Sequence, residues 1–164
     1  MVVIEATSSV VRLVIPGAPV GKGRPRFGKG RTYTDKATIL AEKDVRAVWR
    51  EGGSHRLPDG PVVAHIHICC ERPQSHFTSK GALSATGRRS PFPVRKPDLD
   101  NAAKLLLDSL NGLAYRDDSQ VVELHVRRRW TDHEREIGEW TVLTLLTKTL
   151  GDVEQDELNY GDWE

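Results

Sequence analysis

The chain alternates apolar and polar positions in short blocks. Val11, Leu13 and Ile15 recur every second residue and predict a strand that Pro16-Gly17-Ala18-Pro19 ends. Over residues 35–50, Ala37, Leu40, Ala41, Val45 and Val48 share one helical face, with Thr34 or Asp35 as cap and Gly52-Gly53 as the stop. Residues 61–71 return to period two, Val62, Ala64, Ile66 and Ile68 facing one way and His65 and His67 the other. Residues 99–111 give the strongest helical stripe, through Leu99, Ala103, Leu106, Leu107 and Leu110, with Gly112 where a C-terminal cap belongs. Two further strands, 121–130 and 140–147, are expected to form an antiparallel hairpin across the polar turn 131–138, with Val122, Leu124 and Val126 on one side of the first. The predicted fold is α+β, sandwich-like, with one mixed sheet of about four strands and two main helices packed on it.

Charge divides this picture into a body and a tail. The net charge of +1 over 164 residues conceals six acids and no Lys or Arg from Gly151 onward, so the 24 cations of the body face 17 acids, a net of +7. We expect one domain over 1–149 and an acidic tail over 150–164 that lacks periodicity and is read as disordered, with Tyr160 and Trp163 able to dock on a basic surface. Cys69 and Cys70 are adjacent in a strand, on opposite faces, which suits a reducing, cytoplasmic setting better than a disulfide framework or a closed zinc site. No apolar run approaches the roughly 20 residues of a membrane helix, so no membrane partner is expected.

Two segments between the elements contain cations and no acid. Residues 17–34 carry five glycines with Lys22, Arg24, Arg26, Lys29 and Arg31, and residues 72–97 carry Arg72, Lys80, Arg88, Arg89, Arg95 and Lys96. Such stretches suit a phosphate backbone, and a flexible solvated loop is the plain alternative. His76 and Phe77 lie in the second, where an aromatic among cations can stack on an unpaired base or anchor the loop.

The chemistry concentrates in Lys96-Pro97-Asp98-Leu99-Asp100-Asn101, with Lys104 one turn later, and in Asp117-Asp118-Ser119-Gln120. Asp98 and Asp100 can face one side if the chain is still extended as the helix begins, and Asp118 could join them around Mg²⁺, which takes hard oxygen ligands and keeps waters for a phosphate. Each residue also has a structural reading: a helix cap, an i,i+4 pair between Asp100 and Lys104, a turn at Asp117-Asp118. The two acid-free cationic segments beside them tilt the balance toward metal-assisted cleavage of a polyanion.

These motifs, together with Arg72-Pro73-Gln74-Ser75-His76-Phe77, Leu107-Asp108-Ser109-Leu110-Asn111-Gly112 and the Val121 that closes the DDSQV run, resemble the RusA-type Holliday-junction resolvases, common in phages and prophages. The resemblance spans most of residues 10–147. It implies that Asp98, Asp100, Lys104 and Asp118 are the catalytic set, that Asp98, Asp100 and Asp118 hold Mg²⁺ (with Mn²⁺ as substitute), and that Asn101 and Asp117 flank them. It further implies a homodimer that cuts branched DNA at paired phosphodiesters.

Other features are weaker. Gly23 to Lys29 matches the start of a phosphate-binding loop, but Gly30 stands where a hydroxyl should meet Mg²⁺, which argues against a nucleotide-dependent phosphotransferase and a nucleotide cofactor. His65 and His67 are read as sheet or dimer-surface residues, and Trp49, Trp130 and Trp140 as core or interface. The competing reading of the whole is a branched-DNA-binding protein without nuclease activity.

Overall fold

The computed structural model describes residues 5–6, 9–24, 26–28, 30–131 and 138–148. The acidic tail, Lys29 and most of the 131–138 turn lie outside the described residues, as does the side chain of Arg26. The strands are β1 (Glu5–Ala6), β2 (Val10–Pro16), β3 (Arg26–Gly28), β4 (Arg31–Tyr33), β5 (Val62–Cys70), β6 (Val121–Trp130) and β7 (Trp140–Thr147), and the helices are α1 (Lys36–Glu51), the short α2 (Ala85–Arg89) and α3 (Leu99–Leu110). No described helix is long and apolar enough to cross a membrane.

One mixed five-stranded sheet, in the order β1-β2-β7-β5-β6, carries the fold, and β3 and β4 make a separate hairpin. The α+β expectation holds, and the fifth strand is the two-residue edge β1. The expected β6–β7 hairpin does not form. Among the described residues β6 pairs with β5 alone, and in parallel, while β7 lies antiparallel between β2 and β5. Composition explains the exchange. β7 is apolar on both faces, with Val142, Leu143 and Leu145 buried, and belongs inside the sheet. β6 carries Glu123, His125 and Arg127-Arg128-Arg129, the charged content that an edge strand tolerates.

Both main helices cover one face. Val11, Leu13, Ala64, Ile66, Ile68, Leu143 and Leu145 meet Val45, Val48, Trp49, Ala102, Ala103, Leu105, Leu106 and Leu110 in a continuous core. In α1 the buried side is Thr38, Val45, Val48 and Trp49, whereas Leu40 is 59% exposed, so the stripe is rotated from the predicted one. Asp35 is the N-cap, accepting from the Ala37 amide at 2.9 Å. On β6 the register slips opposite Val62/Val63, which leaves Val122 out of the pairing and exposed; Val121 and Val126 pack on the core, and Leu124, level with Ala64, is 45% exposed on this edge strand. Cys69 and Cys70 are buried thiols, not joined in a disulfide.

Candidate nuclease site

Asp98 sits at the N-cap position of α3 with extended backbone (φ −64°, ψ 150°), yet its carboxylate makes no capping bond. It instead holds the ammonium of Lys96, 2.8 and 2.9 Å from its two oxygens, and stays half exposed. A carboxylate at a helix start that leaves the helix amides unsatisfied is held for something else than capping. Asp100 lies exposed in the first turn, and Lys104 is exposed one turn on, along the same side of the helix.

The first basic segment is brought against this helix start. The Lys22 amide donates to the Asn101 carbonyl oxygen at 2.9 Å, and the Gly23 amide donates to Thr38 Oγ1 at 3.0 Å. A Cβ on Gly21 would lie 2.7 Å from Pro97 Cβ, and one on Gly23 would lie 2.7 Å from Thr38 Oγ1, so both positions need glycine for close packing. Arg24 and Arg31 are exposed beyond this contact.

From the other side Arg128 fixes the same motif. Its guanidinium donates to the carbonyl oxygens of Arg95 and Pro97, immediately before Asp98. Sequence reasoning passed over Arg128, although the run Arg127-Arg128-Arg129 at the end of a strand is a visible signal. The Lys96–Pro97 peptide is cis.

Asp117 and Asp118 stand elsewhere. Asp117 closes a capping box on the single 3₁₀ turn Asp118–Gln120, accepting from the Ser119 amide at 3.0 Å, and hydrogen bonding to the Ser119 side chain, then to its amide, holds its carboxyl below the usual range. Gln120 ties the turn down by donating to the Gly60 carbonyl oxygen at 2.7 Å. Asp118 is exposed. The neighbouring Tyr115 is buried and donates its hydroxyl to the Leu107 carbonyl oxygen at 2.6 Å. Burial, followed by the charges of Asp118, Asp108 and Asp117, pushes that phenol well above its ordinary pKa.

The two motifs therefore occupy opposite ends of α3, separated by about 13 Å of helix axis between Asp98 and Leu107 at 1.5 Å per residue. Among the described residues no group of three or more His, Cys, Asp or Glu side chains is gathered so that it could hold a metal ion. The expectation that Asp98, Asp100 and Asp118 of one chain converge is corrected accordingly. Their types and order are legible along the chain, but the helix inserted between them sets the distance.

Several of the predicted cationic residues bond within the chain, Arg88 and Arg89 donating to the Leu83 and Ala85 carbonyl oxygens at 2.6 and 3.3 Å. Lys22 bridges Glu42 and Asp108 at 2.6 and 3.0 Å, and Arg72 lies over the Trp130 ring while donating to Gly87 and Ser90 carbonyl oxygens, so both serve internal contacts. Arg95 pairs with Glu139. Lys80, Arg88 and Arg89 are exposed. His65 stacks on His125 with ring centroids 4.7 Å apart, on the sheet face away from the helices.

A mixed sheet with two helices on one face, an uncapped carboxylate and a second acid at a helix start, and two basic segments on either side of it define a nuclease-like α+β domain. The chain belongs to the RusA endodeoxyribonuclease family, whose model matches residues 16–137. It is thereby a member of a family of DNA-cleaving hydrolases. It is also similar to the uncharacterized protein YqaN of Bacillus subtilis (strain 168), 30% identical over 129 residues, covering 76% of this chain and 91% of that one.

Proposed function

We propose that the protein is a Mg²⁺-dependent, structure-selective endodeoxyribonuclease that resolves four-way DNA junctions as a homodimer. The observation that carries this reading is the start of α3, where Asp98 leaves its capping role unfilled beside Asp100 and between two basic segments, in a chain of the RusA family. Asp98 and Asp100 are hard oxygen donors of the kind Mg²⁺ takes, in the number it commonly takes from protein when phosphate and water complete its shell.

Asp118 cannot supplement them within its own chain, since it stands beyond the far end of the helix. A two-fold dimer answers this: the Asp118 end of one subunit would meet the Asp98 end of the other, and the symmetry would repeat the arrangement twice, as paired cuts in a symmetric junction require. A divalent ion bound there supplies Lewis acidity and a more acidic water. The chain's own residues do the rest. Lys104 offers a cation to the charge that builds on the phosphate oxygens, Lys96 orients Asp98, and Gly21 and Gly23 let a basic strand lie close to the helix start.

Cleavage of a labelled mobile junction by wild type and Asp100→Asn tests the reading. The variant should bind as wild type does and cut about 10²–10³-fold more slowly; equal cutting rates contradict the assignment.

A further inference from the structure

A cavity of about 770 Å³ lies where the chain between β5 and α3 folds over the end of β6, lined by Arg72, His76, Arg89, Phe92, Arg95 and Trp130 among others. Its back wall is fixed. The Arg72 guanidinium lies 5.0 Å from the Trp130 ring centroid and donates to the Gly87 and Ser90 carbonyl oxygens at 3.1 Å each. Trp130 Nε1 donates to the same Ser90 oxygen at 2.9 Å, and His76 meets the indole edge-on at 5.4 Å. Gly87 packs so tightly on His76 that a Cβ would fall 2.3 Å from its carbonyl oxygen.

The mouth has the opposite character. Phe92 is 69% and Val94 96% exposed, two apolar side chains held in water in a lining that they share with exposed Arg89, whose Nε donates to the Ala85 carbonyl oxygen at 3.3 Å and leaves its terminal nitrogens to other partners. Of the two acids in the lining, Glu139 is paired with Arg95 and Glu71 sits exposed at the edge, so the cleft is cationic on balance. Arg95 of its lining stands three residues before Asp98 in the chain, and Arg128 clamps that connection by donating to the Arg95 and Pro97 carbonyl oxygens.

A rigid cleft of this size takes a small planar group. An exposed aromatic ring flanked by arginines matches the two parts of a nucleotide: a base face to stack on and a phosphate to neutralise. We propose that this cleft receives an unpaired nucleobase from the branch point, next to the phosphodiester to be cut, with Phe92 stacking on the base and Arg89 holding its phosphate. The proposal rests on the nuclease reading above and adds to it a pocket that would select strands able to unstack a base near the cut.

The test is binding in EDTA, so that cleavage plays no part. The full chain is titrated against a junction bearing two unpaired thymidines at the branch and against the same junction with abasic sites there. Wild type should prefer the base-bearing junction by about tenfold, Phe92→Ala should bind both at the abasic level, and Phe92→Trp should restore the preference. Equal binding of the two junctions by wild type, or a preference that survives in Phe92→Ala, overturns the proposal. Phe92 is on the surface, so its variants should fold, and circular dichroism checks that they do. Base preference without cutting in Mg²⁺ would sink only the nuclease reading; cutting without base preference would sink only the pocket.

Discussion

Tyr115 donates its hydroxyl to the Leu107 carbonyl oxygen at 2.6 Å, and through this bond the Asp117-Asp118 turn is anchored to the C-terminal half of α3. If the two ends of that helix serve different sites of a dimer, two inactive variants should complement each other. Asp100→Asn and Asp118→Asn, each unable to cut, would form mixed dimers in which one site keeps both native acids. Mixing them should restore nicking of one strand pair, scored on denaturing gels. No rescue under conditions where subunits exchange would place Asp118 in the same site as the Asp100 of its own chain.

Tyr115→Phe removes one buried hydrogen bond and leaves the Leu107 carbonyl oxygen short of a partner. A loss of about 1 kcal/mol in urea unfolding is expected. Because the turn carrying Asp118 depends on this anchor, cleavage should fall more than junction binding does.

Lys22 was expected to touch DNA, yet it bridges Glu42 and Asp108. Burial alone would lower its pKa, but hydrogen bonds and attraction from those two carboxylates outweigh it and raise it above the ordinary lysine value. Lys22→Met should therefore cost about 1–2 kcal/mol of stability. It should leave the salt dependence of DNA binding unchanged, whereas Arg24→Ala or Arg31→Ala should each reduce the slope of log K against log salt by about 0.9. A Lys22 slope change equal to that of Arg24 would restore Lys22 to the DNA surface.

The open face of the sheet carries a pH dependence of known sign. His65 is held below its ordinary pKa by burial and then by His125, with Glu123 opposing; His67 is held below by burial and then by Arg127, His65, Arg129 and Arg12. The unfolded chain therefore binds protons that the folded chain refuses. Stability is complete above the unfolded histidine value of about 6.5, declines as pH falls from there through the folded values, and levels off below them. Melting temperature should drop between about pH 7.5 and 5.5 in wild type and drop less in a His65→Gln, His67→Gln variant. Glu123, whose pKa is lowered chiefly by Lys148 and then His125, adds its own loss only in the more acidic carboxylate range.

The sequence carried each element's own period and the chemistry of its ends. α3, β5 and the Asp35 cap could be read from residue type alone, because side-chain periodicity and capping are local properties. Neighbour relations could not. Nothing within residues 121–130 or 140–147 says that β7 will pass over β5 to lie beside β2, since that choice depends on which strand can bear two buried faces. The β3–β4 hairpin went unread because three-residue strands have no period to detect. The site followed the same division: Asp98, Asp100, Lys104 and Asp118 are identifiable as residue types, but their separation is fixed by how Tyr115 docks on α3, and the roles of Arg128 and Trp130 depend on partners more than 30 positions away.

The place of β7 has a consequence for synthesis. β2 and β5, from the first half of the chain, meet only through a strand made near residue 147. A nascent chain that stops short of it holds two halves of a sheet with nothing to join them, and non-local pairing of this kind closes late. The sheet that carries the α3 site is thus closed only once β7 has been made, and fragments that stop short of β7 would be cleared as unfolded protein.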